Sequence, residues 1–231
     1  MSFFSPESQP WKTLGKAVDF VGLSLCTVFI SLPIITIAPA LAALYSAVVK
    51  EFRYGDNTPF KTYFESFRKN FKQGVILMLI FIPVVLLLSY GYAIMKDHSD
   101  TRSGAFLFTL YYVLLFVPAG IILNSFPLLG RFEYKTSELL RSALIFTFMH
   151  LFSTFIIVLL SLELTIWTIK YYSPCFITPS LWALLSSFFL EKNYKKHLSA
   201  EEAAKLENLT VEEYLEKEKE REAFRGRYKR R

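Results

Sequence analysis

The stretch Ser31-Leu32-Pro33-Ile34-Ile35-Thr36-Ile37-Ala38-Pro39-Ala40-Leu41-Ala42-Ala43-Leu44-Tyr45 decides the fold. It lies inside an apolar run, residues 17–49, whose only charge is Asp19. One membrane-spanning helix needs about 20 apolar residues, so the run is too long for one straight span. Pro33 and Pro39 fall inside it, and each removes a backbone donor and disfavours helical geometry in the residue before it. The pattern predicts two short helices, residues 17–32 and 39–49, joined by a break. Irregular backbone at membrane depth survives only where protein or water satisfies it, so the break must face other helices or a cavity.

Composition agrees with a membrane protein. The chain has 231 residues, is 53% hydrophobic and 17% aromatic, and has a positive mean hydropathy; long apolar stretches of this kind mark transmembrane chains. The apolar run is too long and too broken for a cleavable signal sequence. Cys26 and Cys175 are far apart and lack metal-type spacing, so both read as free thiols. The net charge of +6 sits in particular loops, which favours a membrane explanation over nucleic acid.

Outward from the first run, residues 1–16 form a short polar segment in which Trp11 has the place of an interfacial anchor. Residues 50–72 are basic. Within them Phe60, Tyr63, Phe64, Phe67 and Phe71 recur at helical spacing, predicting an amphipathic cytoplasmic helix over 59–72 lying in the interface plane. Further spans are expected at 73–95, 105–129, 142–169 and 174–190, with 130–141 as a polar connection. The whole is an all-α polytopic transmembrane bundle (17–190) followed by a charged helical tail (191–231). Capping boxes at Ser199–Glu202 and Thr210–Glu213 predict tail helices over about 200–208 and 211–225.

Orientation follows from charge. With the N-terminus, 50–72, 130–141 and the tail on one side, all but Lys96, Arg102 and Lys170 of the 26 Lys and Arg residues lie there. The positive-inside rule makes that side cytoplasmic. If 17–49 is a hairpin, six membrane segments result, with both termini inside. If it crosses once, there are five and the N-terminus is outside.

No catalytic constellation stands out, and no glycine-rich phosphate loop is present. The expectation is a non-enzyme without cofactor or metal. The intramembrane polar residues Asp19, Asn124, His150 and Glu163 are functional candidates by position, set against ordinary packing and interfacial hydration. The broken run is the other candidate. Discontinuous helices build transporter sites, and Ser31, Thr36 and Ser46 offer hydroxyls. Ala38, Ala40, Ala42 and Ala43 equally suit close helix packing.

The run Ser31, Pro33, Thr36, Pro39, Ala40, Ala43, Tyr45 resembles the signature of the YesL-like family, small bacterial membrane proteins classed as a domain of unknown function. Residues 64–73 resemble a second element of that family, and Arg131-Phe132-Glu133 followed by 139–143 a third; the likeness covers about residues 15–190. The family usually has glycine where Ala38 stands, so a positive φ is not expected at that position. The resemblance implies a plasma-membrane protein, often encoded beside carbohydrate uptake systems, and supplies no catalytic residues. It suggests an accessory component of a sugar ABC transporter that contacts permease subunits and membrane lipids. The rival reading is a stand-alone transporter or channel with a site at the broken helices.

Overall fold

A computed structural model describes residues 9–55, 57–97, 101–171, 176–194 and 210–228. Every element among them is helical. They are α1 (Gln9–Ile30), a single 3-10 turn (Ile34–Thr36), α2 (Ile37–Tyr54), α3 (Pro59–Asp97), α4 (Arg102–Arg131), α5 (Thr136–Met149), α6 (Leu151–Tyr171), α7 (Thr178–Tyr194) and α8 (Val211–Tyr228). The chain divides into two compact units, Met1–Ser187 and Phe188–Arg231.

The first unit is built around α2. Ala38, Ala40, Ala42, Ala43, Leu44, Tyr45, Ala47, Val48 and Val49 are all fully buried, and α3 and α4 form its main walls. Small side chains permit this. A Cβ on Gly74 of α3 would lie 2.6 Å from Pro39 Cδ, and one on Gly130 of α4 would collide with the Ala42 carbonyl oxygen and lie 2.9 Å from Ser46 Oγ. The two glycines therefore let three helix backbones approach as they do in tightly packed membrane helices. The Ser46 hydroxyl donates to the Gly130 carbonyl at the same crossing.

The break between α1 and α2 is stitched by its own residues. Pro33 is extended (φ −73°, ψ 119°). The Thr36 hydroxyl lies within donating reach of both the Ile30 and Pro33 carbonyls, which satisfies acceptors that α1 leaves open at its end. Pro39 does not delay α2. It falls in the first turn, where an intrahelical N–H partner is missing anyway. Ala38 is helical, and Gly55 is the one positive-φ glycine of the described residues (φ 75°), ending α2 with its N–H on the Glu51 carbonyl.

After the break the chain returns along itself. The rings of Phe20 in α1 and Phe52 in α2 meet edge to face at 5.5 Å, Lys16 Nζ lies 5.9 Å above the Phe52 ring, and Phe60 closes over Gly22. The start of α7 is clasped to α1. Ser24 Oγ donates to Ser180 Oγ at 2.7 Å, which donates to the Phe20 carbonyl at 2.9 Å, while the Ser180 N–H donates to Ser24 Oγ.

Several boundaries differ from the sequence expectation. Residues 59–72 are not a separate helix in the interface plane; they are the first turns of α3, because nothing between Pro59 and Pro83 breaks the helix and Gly74 serves packing. The aromatic face also divides. Tyr63 is fully buried, whereas Phe64 and Phe71 are exposed. The expected span 142–169 is two helices, since His150 (φ −123°, ψ 48°) interrupts it. The connection 130–141 shrinks because α4 runs through Arg131 and α5 begins at Thr136, where Glu138 accepts the Lys135 N–H. The last segment is shifted to Thr178–Tyr194. The tail helix expected at 200–208, Cys175 and the Trp11 side chain lie outside the described residues.

Among the described residues four helices are long and apolar enough, by length and composition, to cross a membrane: Ile34–Tyr54, Pro59–Asp97, Ser103–Arg131 and Leu151–Tyr171. α3, with 39 residues, is about 58 Å long, nearly twice a hydrocarbon core of about 30 Å. Leu86, Leu87, Phe106, Val113, Phe152 and Ile169 are each more than 60% exposed. A surface with so many large apolar side chains facing outward has lipid as its natural solvent.

In the second unit, α8 opens with a reciprocal cap. The Thr210 N–H donates to Glu213 Oε2 at 3.0 Å, and the Glu213 N–H donates to Thr210 Oγ1 at 3.3 Å. Two bonds to Thr210, first the backbone N–H and then the hydroxyl, hold the Glu213 carboxyl below its ordinary pKa.

Candidate functional site

Two places bring sequence candidates together. At the proline break, Ser31 donates its N–H to the Thr27 carbonyl, Pro33 and Thr36 shape the turn, Pro39 packs on Gly74, and Ala40, Ala43 and Tyr45 are fully buried. Pro39, Ala40, Ala43 and Tyr45 lie at the centre of the packing, whereas the break itself, Leu32–Ile35, is exposed rather than covered by other helices as expected, its open carbonyls being met by Thr36 instead. A side pocket of about 200 Å³ touches α2 only through Leu41, the rest of its wall being Leu123, Ser161, Leu164, Thr165, Thr178, Pro179 and Trp182. Trp182 Nε1 donates to Ser161 Oγ at 2.9 Å across it.

The second place is the junction of α5 and α6. Asn124 of α4 is 1% exposed and donates through Nδ2 to Thr147 Oγ1 of α5 and to Thr154 Oγ1 of α6, each at 3.2 Å. Thr147 in turn donates to the Ala143 carbonyl at 2.7 Å. Gly120, one turn before Asn124, makes room for both threonine methyl groups, which a Cβ there would meet at 2.7 and 2.8 Å. One amide thus holds together the two halves of a helix interrupted at His150. The His150 ring lies 5.5 Å from that of Phe146, and the His150 backbone N–H caps α5 on the Phe146 carbonyl. Asn124 Oδ1 is buried and meets no donor among the described residues, so this node keeps one hydrogen-bond acceptor in apolar surroundings.

The remaining candidates do not converge. Asp19 is half-buried on α1 near the Phe20–Phe52 contact, and Glu163 is exposed on α6. Among the described residues no group of three or more His, Cys, Asp or Glu side chains comes together. Thr147 and Thr154 were not singled out in the sequence, where threonine in an apolar helix is unremarkable. Their signal is the seven-residue spacing that places both beside His150.

The helices, their lengths and their outward apolar surface define an all-α protein compatible with life in a bilayer. Residues 20–92, from the middle of α1 through most of α3, match a family model described as "Protein of unknown function, DUF624". The match covers the proline break and the Gly74 crossing and ends before the Asn124 node. No curated protein and no solved structure matches the chain.

Proposed function

We propose that the chain is a multi-pass protein of the bacterial plasma membrane, with both termini cytoplasmic, that acts as an accessory component of a carbohydrate ABC uptake system. The observation that carries this reading is the burial of α2. The proline-broken run is the segment most suited to lining a conduit, and its α2 part is instead packed by Gly74 and Gly130 into the centre of the bundle. A partner surface is available at one end. The first turns of α3 reach past the length a bilayer needs and expose Phe64, Arg68, Phe71 and Lys72. The likeness to the YesL-like family points the partner reading toward sugar permeases, and the lack of a phosphate-binding loop favours a helper over an ATP-hydrolysing subunit. Neither a catalytic role nor a nucleic-acid partner has support in the residues.

Purification from native membranes in mild detergent tests the proposal. Permease or solute-binding components should co-purify, and their absence counts against it. The second reading, a stand-alone transporter or channel, is favoured by the open acceptor on Asn124. Sugar flux into liposomes containing this protein alone separates the two, because an accessory protein alone moves nothing.

A further inference from the structure

A second concavity among the described residues is a lateral groove of about 450 Å³. α4 packs against α3 on one side and α6 on the other and forms the floor through Leu115, Phe116, Ala119 and Ile122. Val85, Leu88 and Ser89 of α3 make one wall, and Val158 and Leu162 of α6 the other. The groove is continuous with the exposed apolar surface of α3, where Leu86 and Leu87 face outward. Its lining is almost wholly apolar, with the polar atoms gathered at one end. There Tyr112 Oη, ten residues into α4, donates to Tyr92 Oη, five residues before the end of α3, at 3.4 Å. Tyrosine prefers the boundary between hydrocarbon and water.

Length decides the occupant. From Tyr112 to Ile122 the groove follows ten residues of α4, about 15 Å of helix axis. A hydrocarbon core of about 30 Å gives each leaflet half of that. The groove therefore starts at an interfacial tyrosine pair and ends near the bilayer midplane. We propose that it is a binding site for one acyl chain of a phospholipid from the leaflet on the side of the α3–α4 connection, with the lipid headgroup placed at the Tyr92 and Tyr112 hydroxyls. This goes beyond the accessory reading and does not depend on it, since a transporter could hold the same lipid.

The test is native mass spectrometry of the full chain. The protein is reconstituted in vesicles of phosphatidylglycerol and phosphatidylethanolamine and then exchanged into mild detergent. The wild type should retain one phospholipid. Ala119→Trp fills the floor and should lower occupancy about tenfold or more, the effect of losing contact with about two buried methylenes. Leu86→Trp places the same indole on the outer face of α3, where Leu86 already faces outward, and should leave occupancy unchanged. Leu115→Phe serves as a second filling variant if Ala119→Trp does not fold. Three results overturn the proposal: no lipid retained by the wild type, a retained mass equal to a free fatty acid, or equal retention by a folded groove-filling variant and Leu86→Trp.

Discussion

Phe20 and Phe52 meet edge to face, ring centroids 5.5 Å apart and planes at 81°, although one lies before the proline break and the other after it. Phe20 lies ten residues before the end of α1 and Phe52 fifteen residues after the start of α2, so the chain after the break turns back toward α1. Lys16 adds its ammonium to the Phe52 face from the same end. The contact fixes the return of the chain at its far end, while Thr36 fixes it at the turn.

That pairing has a measurable coupling. A double-mutant cycle with Phe20→Ala and Phe52→Ala should give an interaction energy of about 1 kcal/mol beyond the loss of each ring. Reversible unfolding in detergent supplies the numbers. Strict additivity would mean that the two rings do not support one another.

Glycine substitutions should sort by what the new Cβ meets. Gly130→Ala and Gly74→Ala push against backbone and a proline ring, neither of which can swing away. Each should destabilise by about 1–3 kcal/mol. Gly15→Ala faces open space on α1 and should gain about 0.8–1 kcal/mol of helix propensity. Thermal unfolding of the three variants side by side checks the order.

The amide of Asn124 joins three helices. Intrahelical alternatives are available to both threonines, and hydrogen bonds inside bilayers average only about 0.6 kcal/mol. Asn124→Ala should therefore cost about 1 kcal/mol for its two bonds. Both Asn124→Ala and Asn124→Leu remove the open carbonyl acceptor, but Asn124→Leu also fills the space that alanine leaves empty and should cost less than Asn124→Ala. A stability ranking in the opposite order would show that the space between Gly120, Thr147 and Thr154 does not accept an apolar side chain of that size.

Acid should loosen the start of α8. The Glu213 carboxyl titrates below its ordinary value in the folded chain because the Thr210 N–H, and secondarily its hydroxyl, bind the charged form. Its contribution is thus complete above the unfolded carboxylate pKa and is lost as pH falls through the lower folded value. Carboxyl NMR of the full chain should show the depressed titration, and Thr210→Ala should move it back up. An unchanged titration in that variant would remove the cap from the explanation.

The helical class and the apolar surface were readable from residue order, because runs of Leu, Ile, Val and Phe this long have few other homes. Two features were not. The division of α5 from α6 at His150 lies in an apolar stretch without proline or glycine, so its cause is tertiary: Asn124 reaches both halves from another helix. The continuity of α3 was hidden by its composition. The charge cluster ending at Lys72 suggested a boundary. In the fold Gly74 is where Pro39 fits, a role that only the neighbouring helix reveals. Asn124 and His150 were visible as polar residues in apolar surroundings, whereas Thr147 and Thr154, whose hydroxyls can turn to their own helix, carried no such mark.

The fold-back of residues 17–49 governs the proposed topology and the placement of every partner surface, and accessibility in intact cells tests it most directly. In a background with Cys26 and Cys175 replaced by serine, single cysteines at Asn57 and Thr101, together with a tag ahead of Met1, are probed with impermeant reagents. The amino-terminal tag and Asn57→Cys should be shielded until the cells are opened, and Thr101→Cys should react at once. A tag reached from outside while Asn57→Cys stays shielded would mean that the first run crosses the membrane once.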